Sequence, residues 1–470
     1  MMDIDKIRQK ILDLAIRGKL VPQDPNDEPA SILVEKIKAE KEKMVKEGKI
    51  KPSKDESYIY KDSDNCYYEK NGNEVRDITS EIPFEIPNSW RWVRLKNIGT
   101  IVGGGTPDTS NKNYWDGDIV WITPANMSKL KSLFVEDSDR RITSLGLAKS
   151  SAQLLPANSI IMSSRAPIGY LAINKTPACT SQGCKSLAPL YEGGSEYIAC
   201  ALKARMSSIK SNGSGNTFSE ISGKDFSNII IPLPPSKEQE RIVEEYNTFV
   251  DKIDSIVYEY HQIVTISNHI KLKILDYFFG ENSSYKSYYG NSSWQIKKMS
   301  LICCLYTGNS ISKETKLKKY IGHSSGTPYI GTKDIKFNGF IIYDNGVRIP
   351  SSDLSSFSIA PKNSILLCIE GGSAGRKIAI TNREVCFGNK LCCFVPNEIN
   401  NRYLFYYLQS ASFKESFLDK KSGLIGGVSI NKLREIKVAY PSISLQQKIV
   451  SIIDNAFCVI DSILFELNQN

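Results

Sequence analysis

Nowhere does this chain run to 18 consecutive apolar residues, so it offers no candidate membrane-spanning helix. Its start, Met1-Met2-Asp3-Ile4-Asp5-Lys6, has no apolar core behind a basic segment, which argues against an export signal. Histidine is scarce. His261, His269 and His323 are the three in 470 residues, and two of them share one helical segment, leaving little for a metal site or a catalytic triad. The 11 cysteines are odd in number and include the neighbours Cys303-Cys304 and Cys392-Cys393, but no Cys-x-x-Cys spacing of a zinc or redox site. Reduced, mostly buried thiols in a cytoplasmic protein are expected, with no metal.

Catalytic signatures are missing as well. No Asn/Asp-Pro-Pro-aromatic tetrapeptide of the amino-methyltransferase kind occurs, and the one Pro-Pro, Pro234-Pro235, precedes a helix. There is no Gly-x4-Gly-Lys-Ser/Thr phosphate loop. Gly103-Gly104-Gly105 follows a strand-like run but leads into the turn-forming Thr106-Pro107-Asp108, and Gly371-Gly372-Ser373-Ala374-Gly375 leads into another strand. Neither opens a helix, so neither suits a nucleotide cradle. Asp419 with Glu435-Ile436-Lys437 has a nuclease-like spacing that is common by chance on a basic surface.

What the chain does have is length for two to four packed units, an ordinary globular composition of 41% hydrophobic and 24% charged residues, and a formal charge of +9. The positive charge is concentrated: residues 88–231 carry a net +6, residues 294–438 a net +11, and the remainder −8. Two basic blocks joined by acidic connectors suit a chain that meets a polyanion twice, although a solvated basic surface gives the same count.

The two blocks are copies. Asn88-Ser89-Trp90-Arg91-Trp92 recurs as Ser292-Ser293-Trp294-Gln295-Ile296. Val120-Trp121-Ile122-Thr123 is echoed by Pro328-Tyr329-Ile330-Gly331, Ser159-Ile160-Ile161 by Ser364-Ile365-Leu366, Gly169 by Gly375, and Leu171-Ala172-Ile173 by Ile378-Ala379-Ile380. Ile231-Pro232-Leu233-Pro234 through Val243 corresponds to Val438-Ala439-Tyr440-Pro441 through Val450.

A helix is expected after each copy, opened by Ser-x-x-Gln capping boxes at Ser236/Gln239 and Ser444/Gln447. Ile242, Tyr246, Phe249, Ile253, Ile256, Tyr260, Ile263, Ser267, Ile270, Ile274 and Tyr277 alternate steps of four and three, the rhythm of a coiled-coil seam on the order of 50 Å long. The second copy starts the same seam with Ile449, Ile453, Ala456, Ile460, Ile463 and Leu467, and the N-terminal Ile4, Ile7, Ile11 and Leu14 continue it. Lys10-Ile11-Leu12-Asp13 even repeats Lys273-Ile274-Leu275-Asp276. The repeat is therefore cyclic, and the expected architecture is α+β: two similar domains held apart by a long antiparallel coiled coil with pseudo-twofold symmetry. Unrelated amphipathic helices packing on their own domains are the plainer alternative.

Within each block, short β-rich runs alternate with Gly, Asn and Ser turns, and one helix is expected around 196–210 and one around 402–418. At this point the sequence resembles the specificity subunits of type I restriction-modification systems. Lys19-Leu20-Val21-Pro22-Gln23-Asp24-Pro25-Asn26-Asp27-Glu28-Pro29-Ala30 with its following basic helix carries the likeness, as do Ile82-Pro83-Phe84-Glu85-Ile86-Pro87-Asn88-Ser89-Trp90, Gly104-Gly105-Thr106-Pro107, Tyr114-Trp115 and the Pro-x-Pro to Glu238-Gln239 to Arg241-Ile242 block. The second copy departs at Ala439, Ser442 and Leu445, which stand where Pro232, Pro235 and Glu238 stand in the first.

The resemblance implies two target-recognition domains, each reading half of a gapped, bipartite double-stranded DNA sequence. It also implies two adenine-methylating modification subunits clamped on the chain, with restriction subunits joining them. No cofactor would belong to this chain; S-adenosylmethionine, ATP and Mg would serve the partner subunits. The chain would give the address and do no chemistry. The resulting layout is 1–18 as a helix completing the second coiled-coil arm, 19–86 as a connector with a basic helix, and 87–235 as the first recognition domain. Residues 236–280 form the central helix, 281–293 a linker, 294–443 the second recognition domain and 444–470 the last helix.

For DNA reading, amide, hydroxyl and basic side chains on loops are the expected equipment. In the first block these are Thr106, Lys112, Asn113, Tyr114, Thr123, Asn126, Lys129, Lys131, Arg165 and Lys185. In the second they are Ser310, Lys313, Lys316, Lys318, Lys319, Lys333, Asp334, Lys336, Arg376, Lys377 and Lys390. Each is otherwise a solvated surface residue, and Trp90, Trp121 and Tyr329 are expected in the core. Two other readings stand beside this one: a free-standing DNA-modifying enzyme with an unrecognised cofactor pocket, and a coiled-coil adaptor that binds only protein.

Overall fold

The computed structural model describes residues 3–50, 52, 56–165, 167–211, 220–280, 283–288, 294–323, 325–421 and 426–469. The repeat residues Ser292-Ser293 and most of the linker 281–293 lie outside these. By contacts the chain divides into two compact units, Met2–Val257 and Tyr258–Asn470.

In the first unit a five-stranded sheet has the order Gly99–Gly103, Cys184–Pro189, Ile160–Ser163, Leu171–Asn174, Phe134–Val135. A second sheet sets Trp115–Ile122 between Ala178–Thr180, which runs parallel to it, and Arg141–Ile142. The four-residue strands Arg91–Arg94 and Ile230–Leu233 pair antiparallel. Unbroken burial of Ile160–Ser163 and Ile230–Leu233 shows why these runs are apolar on both faces.

The second unit repeats the plan. Cys303–Thr307, Leu391–Pro396, Ile365–Cys368 and Ile378–Ile380 form one sheet in that order, Thr327–Ile330 runs parallel to Val385–Phe387 in another, and Gln295–Lys298 pairs with Lys437–Tyr440. Small details repeat too. Asn158 and Asn363 both take a left-handed φ, 63° and 68°, and the backbone N–H groups of Ser159 and Ser364 donate to Asn174 Oδ1 and Thr381 Oγ1. A Cβ on Gly104 would sit 1.8 Å from the carbonyl oxygen of Ser181, and one on Gly308 1.9 Å from that of Phe387, so only glycine lets these two strands pass. Where one helix per copy was expected, there are two short ones: Ser195–Ala204 with Met206–Ser211, and Asn401–Tyr407 with Ala411–Asp419.

Among the described residues, the first unit alone carries a connector sheet of three strands, Ser57–Lys61, Tyr67–Asn71 and Glu74–Asp77. It is tied to the core by Arg94, which is buried and donates to both carboxylate oxygens of Glu69 at 2.7 Å and to Glu81 at 3.0 Å.

The central helix spans Ser236–Phe279, and the expected Ser-x-x-Gln boxes are not found among the described residues. Instead a buried glutamine near each helix start turns its amide back: Gln239 Nε2 donates to the Pro234 carbonyl at 2.9 Å, and Gln446, not Gln447, donates to that of Pro441 at 2.8 Å. The connector motif clamps the same place. Gln23 bonds Glu238, Asp27 pairs with Arg241 at 2.5 Å, and the indole N–H of Trp90 donates to Glu238 at 3.0 Å.

Each unit packs its half of this helix against a helix from one end of the chain. Ile4–Ile16 lies along the first half, with Arg8 bonded to Asp254 and Ile11 and Leu12 clustered with Tyr246 and Ile253. Ile443–Gln469 lies along the second, with Lys271 paired to Asp461 at 2.5 Å and Ile449 and Ile453 clustered with Leu275 and Phe278. In both pairings higher numbers on one helix meet lower numbers on the other, so each pair runs antiparallel.

The buried stripe differs from the heptad seam. It passes Ile242, Tyr246, Ile253, Val257, Tyr260, Val264, Ser267, Lys271, Ile274 and Phe278. Tyr246, Ile253, Tyr260, Ser267 and Ile274 of the expected seam stay in the stripe, but its other positions fall one residue later than expected, at Val257, Lys271 and Phe278, so Ile256, Ile270 and Tyr277 turn outward. Ile256 is 55% exposed and Ile270 43%; Ile463 and Leu467 of the last helix are 50% and 42% exposed, with Leu464 turned inward instead. Ile263 and Ile460 remain half-buried, as do Ile4, Ile7, Leu14 and Phe249.

Candidate nucleic-acid interface

Loops at the strand ends gather the candidate residues. In the first unit, Trp121 and Ile122 are locked by burial, and Thr123 then caps a helical turn over Pro124–Met127. Thr123 and Asn126 bond each other's backbone N–H groups, at 3.0 and 3.2 Å, so both side chains are engaged in shaping that turn. The Thr106 hydroxyl bonds Gln182, and a Cβ on Gly183 would meet Pro124 at 3.2 Å. Three loops, at 106, 123–126 and 181–183, therefore meet. Arg165 and Lys185 extend the group by sharing Glu220, at 3.1 and 3.9 Å.

Of the other first-unit candidates, Lys129 adjoins that group through its backbone N–H, which donates to the Asn126 carbonyl at 3.1 Å. Lys112, Asn113 and Tyr114 form a single helical turn whose Asn113 carbonyl accepts the Thr143 hydroxyl, and Tyr114 packs on the Trp115–Trp121 cluster. Lys129 pairs with Asp139 at 2.8 Å, and Lys131 is exposed. Arg140, which the sequence did not single out, lies 3.6 Å over the Trp115 ring.

In the second unit the candidates converge more tightly. Tyr329 is buried, donates to the Asn309 carbonyl at 2.7 Å, and carries the Lys316 ammonium 4.8 Å above its ring. Burial, and next the positive charge of Lys333, hold the Lys316 pKa below its usual value. Lys377 Nζ donates to the Thr332 carbonyl at 2.9 Å, bringing Lys377 and Arg376 beside the 332–340 loop that contains Lys333 and Lys336. Asp334 is buried and accepts the Gly331 N–H at 2.8 Å, a role in shaping the loop. Lys318 pairs with Glu314 at 2.6 Å, Lys390 lies 4.0 Å from Glu370, and Ser310, Lys313 and Lys319 are exposed.

Two residues at this cluster escaped the sequence reading. Phe337 and Phe340 are 65% and 62% exposed, among the most exposed large apolar side chains described. Their signal was there: Phe337-Asn338-Gly339-Phe340 places aromatics on both sides of an Asn-Gly turn, where no core is available.

All 11 cysteines are free, and burial raises the thiols of Cys179, Cys303 and Cys393 above their usual range. No helix among the described residues is long and apolar enough to cross a membrane, and no group of three or more His, Cys, Asp or Glu among them is placed to hold a metal ion. A cavity of about 320 Å³ lined by Val34, Tyr58, Trp92 and Arg94, and one of about 550 Å³ lined by Glu69, Arg76, Arg94 and Lys224, lie against the connector sheet.

A family model described as the type I restriction modification DNA specificity domain matches the chain twice, over residues 87–263 and 291–468. The type I restriction enzyme MjaIX specificity subunit of Methanocaldococcus jannaschii is 25% identical over 395 residues, covering 79% of this chain and 88% of that protein. The EcoEI specificity subunit of Escherichia coli is 30% identical over 286 residues, 57% of this chain and 42% of its own. A chain solved in work on complex assembly and conformational transition of the type I R-M system shares the fold, with a TM-score of 0.62 at 16% identity over 82% of this chain and 95% of that one.

Proposed function

Since this chain belongs to the type I restriction-modification DNA specificity family, we propose that it is the subunit that reads a gapped, two-part DNA sequence and carries that address to catalytic partners. The observation that carries the reading is the duplication itself. One sheet framework occurs twice, each copy matches the specificity-domain model, and each presents its own cluster of basic and polar loop residues. Base readout needs side chains that differ on a scaffold that does not, and the two loop clusters differ in nearly every residue while Gly104 and Gly308 hold the same place beneath them.

Lysines and arginines of the clusters, among them Lys316, Lys333, Lys336, Arg376 and Lys377, would position the duplex through phosphates, while Thr106, Gln182, Lys185 and Arg165 in the first unit and Ser310 in the second would reach base edges. The central helix would set the gap between half-sites. The exposed Ile256, Ile270, Ile463 and Leu467 would be covered by two modification subunits, with restriction subunits joining the assembly. S-adenosylmethionine, ATP and Mg would be used by those partners and none by this chain, which would be cytoplasmic.

Domain exchange tests this. Replacing residues 87–235 by the corresponding block of a relative is expected to change one half of the methylated motif and leave the other half and the gap intact. A motif altered in both halves, or in neither, would refute the assignment of one half-site to each copy.

A further inference from the structure

The loop carrying Phe337 and Phe340 is built to hold apolar rings out in solvent. Ile335 and Ile341, both buried, form a β-bridge at its base. Above them the Lys336 N–H donates to the Phe340 carbonyl at 2.9 Å, and Gly339, at φ 81°, donates back to Lys336 at 3.1 Å. Asp334 ties the base of the loop to Gly331. A hairpin this short and this well bonded cannot fold its tip back onto the core, so the exposure of both phenyl rings is a property of the scaffold.

Cations lie against the Phe337 ring. The Arg376 guanidinium lies 5.7 Å and the Lys377 ammonium 5.2 Å from the centre of the Phe337 ring, and Lys333 and Lys336 flank the hairpin. Among the described residues none of these four forms an ion pair, in contrast to Lys318 and Lys390 nearby. Two rigid apolar rings inside an unpaired basic rim match a surface that is polyanionic outside and aromatic within, which is the stacked core of a nucleic-acid duplex. At the equivalent place the first copy has Lys129 and Ser132, so the feature belongs to one recognition domain only.

We propose that Phe337 and Phe340 act as a wedge that presses between neighbouring base pairs in the half-site read by the second domain, with Lys333, Lys336, Arg376 and Lys377 holding the flanking phosphates. The proposal rests on the DNA-reading function above and adds how this domain reads: it selects steps that unstack easily, so part of its specificity comes from deformability at a position it does not hydrogen-bond.

The full chain, incubated with a pool of random-sequence duplex DNA, supplies the probe; the best-retained duplex is resynthesised with 2-aminopurine at successive positions. Wild-type protein is expected to raise 2-aminopurine fluorescence at one step of one half-site. The double variant F337A/F340A is expected to lose that rise and to bind about tenfold or more weakly. F337L/F340L, which keeps apolar bulk, should retain most of both. Thermal unfolding of all three should coincide, since the rings pack on little. Tight binding by the wild type with no fluorescence rise at any position overturns the wedge and leaves DNA reading standing, as does equal affinity of F337A/F340A. Loss by F337A/F340A of a co-purifying protein partner, with DNA binding intact, makes the hairpin a protein-docking element and overturns the wedge. Retention of no duplex by the wild type overturns the DNA-reading function itself.

Discussion

Glu238 and Leu445 occupy equivalent places in the two copies, and the indoles beside them fare differently. Trp90 donates its N–H to Glu238 at 3.0 Å, whereas the buried Trp294 Nε1 has no hydrogen-bond partner among the described residues. Replacing Glu238 by leucine gives the first copy the chemistry of the second. It strands a buried indole donor, for a cost of about 1–3 kcal/mol partly offset by relief of a buried carboxylate. For a unit of this size a net loss of about 2 kcal/mol lowers the midpoint of its thermal transition by roughly 4–8 °C. Glu238→Gln keeps an oxygen for Trp90 and should cost under about 1 kcal/mol. Leu445→Gln should be better tolerated than Leu445→Ala, because it offers Trp294 an acceptor.

The pH dependence separates the carboxyl from its shape. Burial, opposed by the bonds from Trp90 and Gln23, holds the Glu238 pKa above its ordinary 4.5. The folded state therefore binds this proton more tightly than the unfolded one, so the stabilisation is complete below 4.5 and is lost as pH rises through the folded value. The stability of wild type relative to Glu238→Gln should fall over that window. Urea unfolding of the full chain followed by tryptophan fluorescence measures both effects. Equal midpoints for wild type and Glu238→Leu, or a Glu238→Gln variant as weak as Glu238→Leu, would refute the reasoning.

Arg94→Met leaves the Glu69 carboxylate buried beside Arg76 alone and should destabilise the first unit by about 3–5 kcal/mol in calorimetry. Burial alone would raise the Glu69 pKa, but bonds from Arg94, Ser57 and Arg76 outweigh it and hold the group at about 2, so this stabilisation is present above 4.5 and is lost as pH falls towards 2. Substituting Lys316, Lys318 and Lys319 together by alanine should weaken binding to all duplexes and reduce the salt slope of the affinity by about two to three; an unchanged slope removes that segment from the interface. Seven residues inserted after Ile263 should lengthen the central helix by about 10 Å, and the gap between half-sites by about three base pairs, read out by mapping methylated sites. An unaltered gap would refute the ruler.

The duplicated plan was legible because the same apolar strand words recur: Ser159-Ile160-Ile161 and Ser364-Ile365-Leu366 open equivalent strands, with Asn158 and Asn363 in the same left-handed turn. The helices were legible from their rhythm, but their exposed face was not. Isoleucine at 256 and 270 fits a heptad on paper, whereas the helix turns the next residues, Val257 and Lys271, inward and leaves the isoleucines exposed. The capping boxes failed for a related reason. A serine followed by glutamine is a local signal, and here prolines and a buried glutamine amide settle the helix start through longer-range contacts. Of the candidate site residues, Thr123, Asn126 and Asp334 turned out to be spent on loop geometry, which sequence cannot separate from an offered side chain. Phe337 and Phe340 were overlooked because amide, hydroxyl and basic side chains on loops were the ones sought, and the aromatics beside the Asn338-Gly339 turn were passed over.

The central claim is that this chain supplies an address and its partners the chemistry. Co-expression with the candidate modification subunit, each protein alone as control, followed by mapping of methylated adenines across a test genome, addresses it most directly. Methylation confined to a gapped two-part motif, and only when both proteins are present, is the expected result. Methylation by this chain alone, or a motif unchanged when this chain is left out, would contradict it.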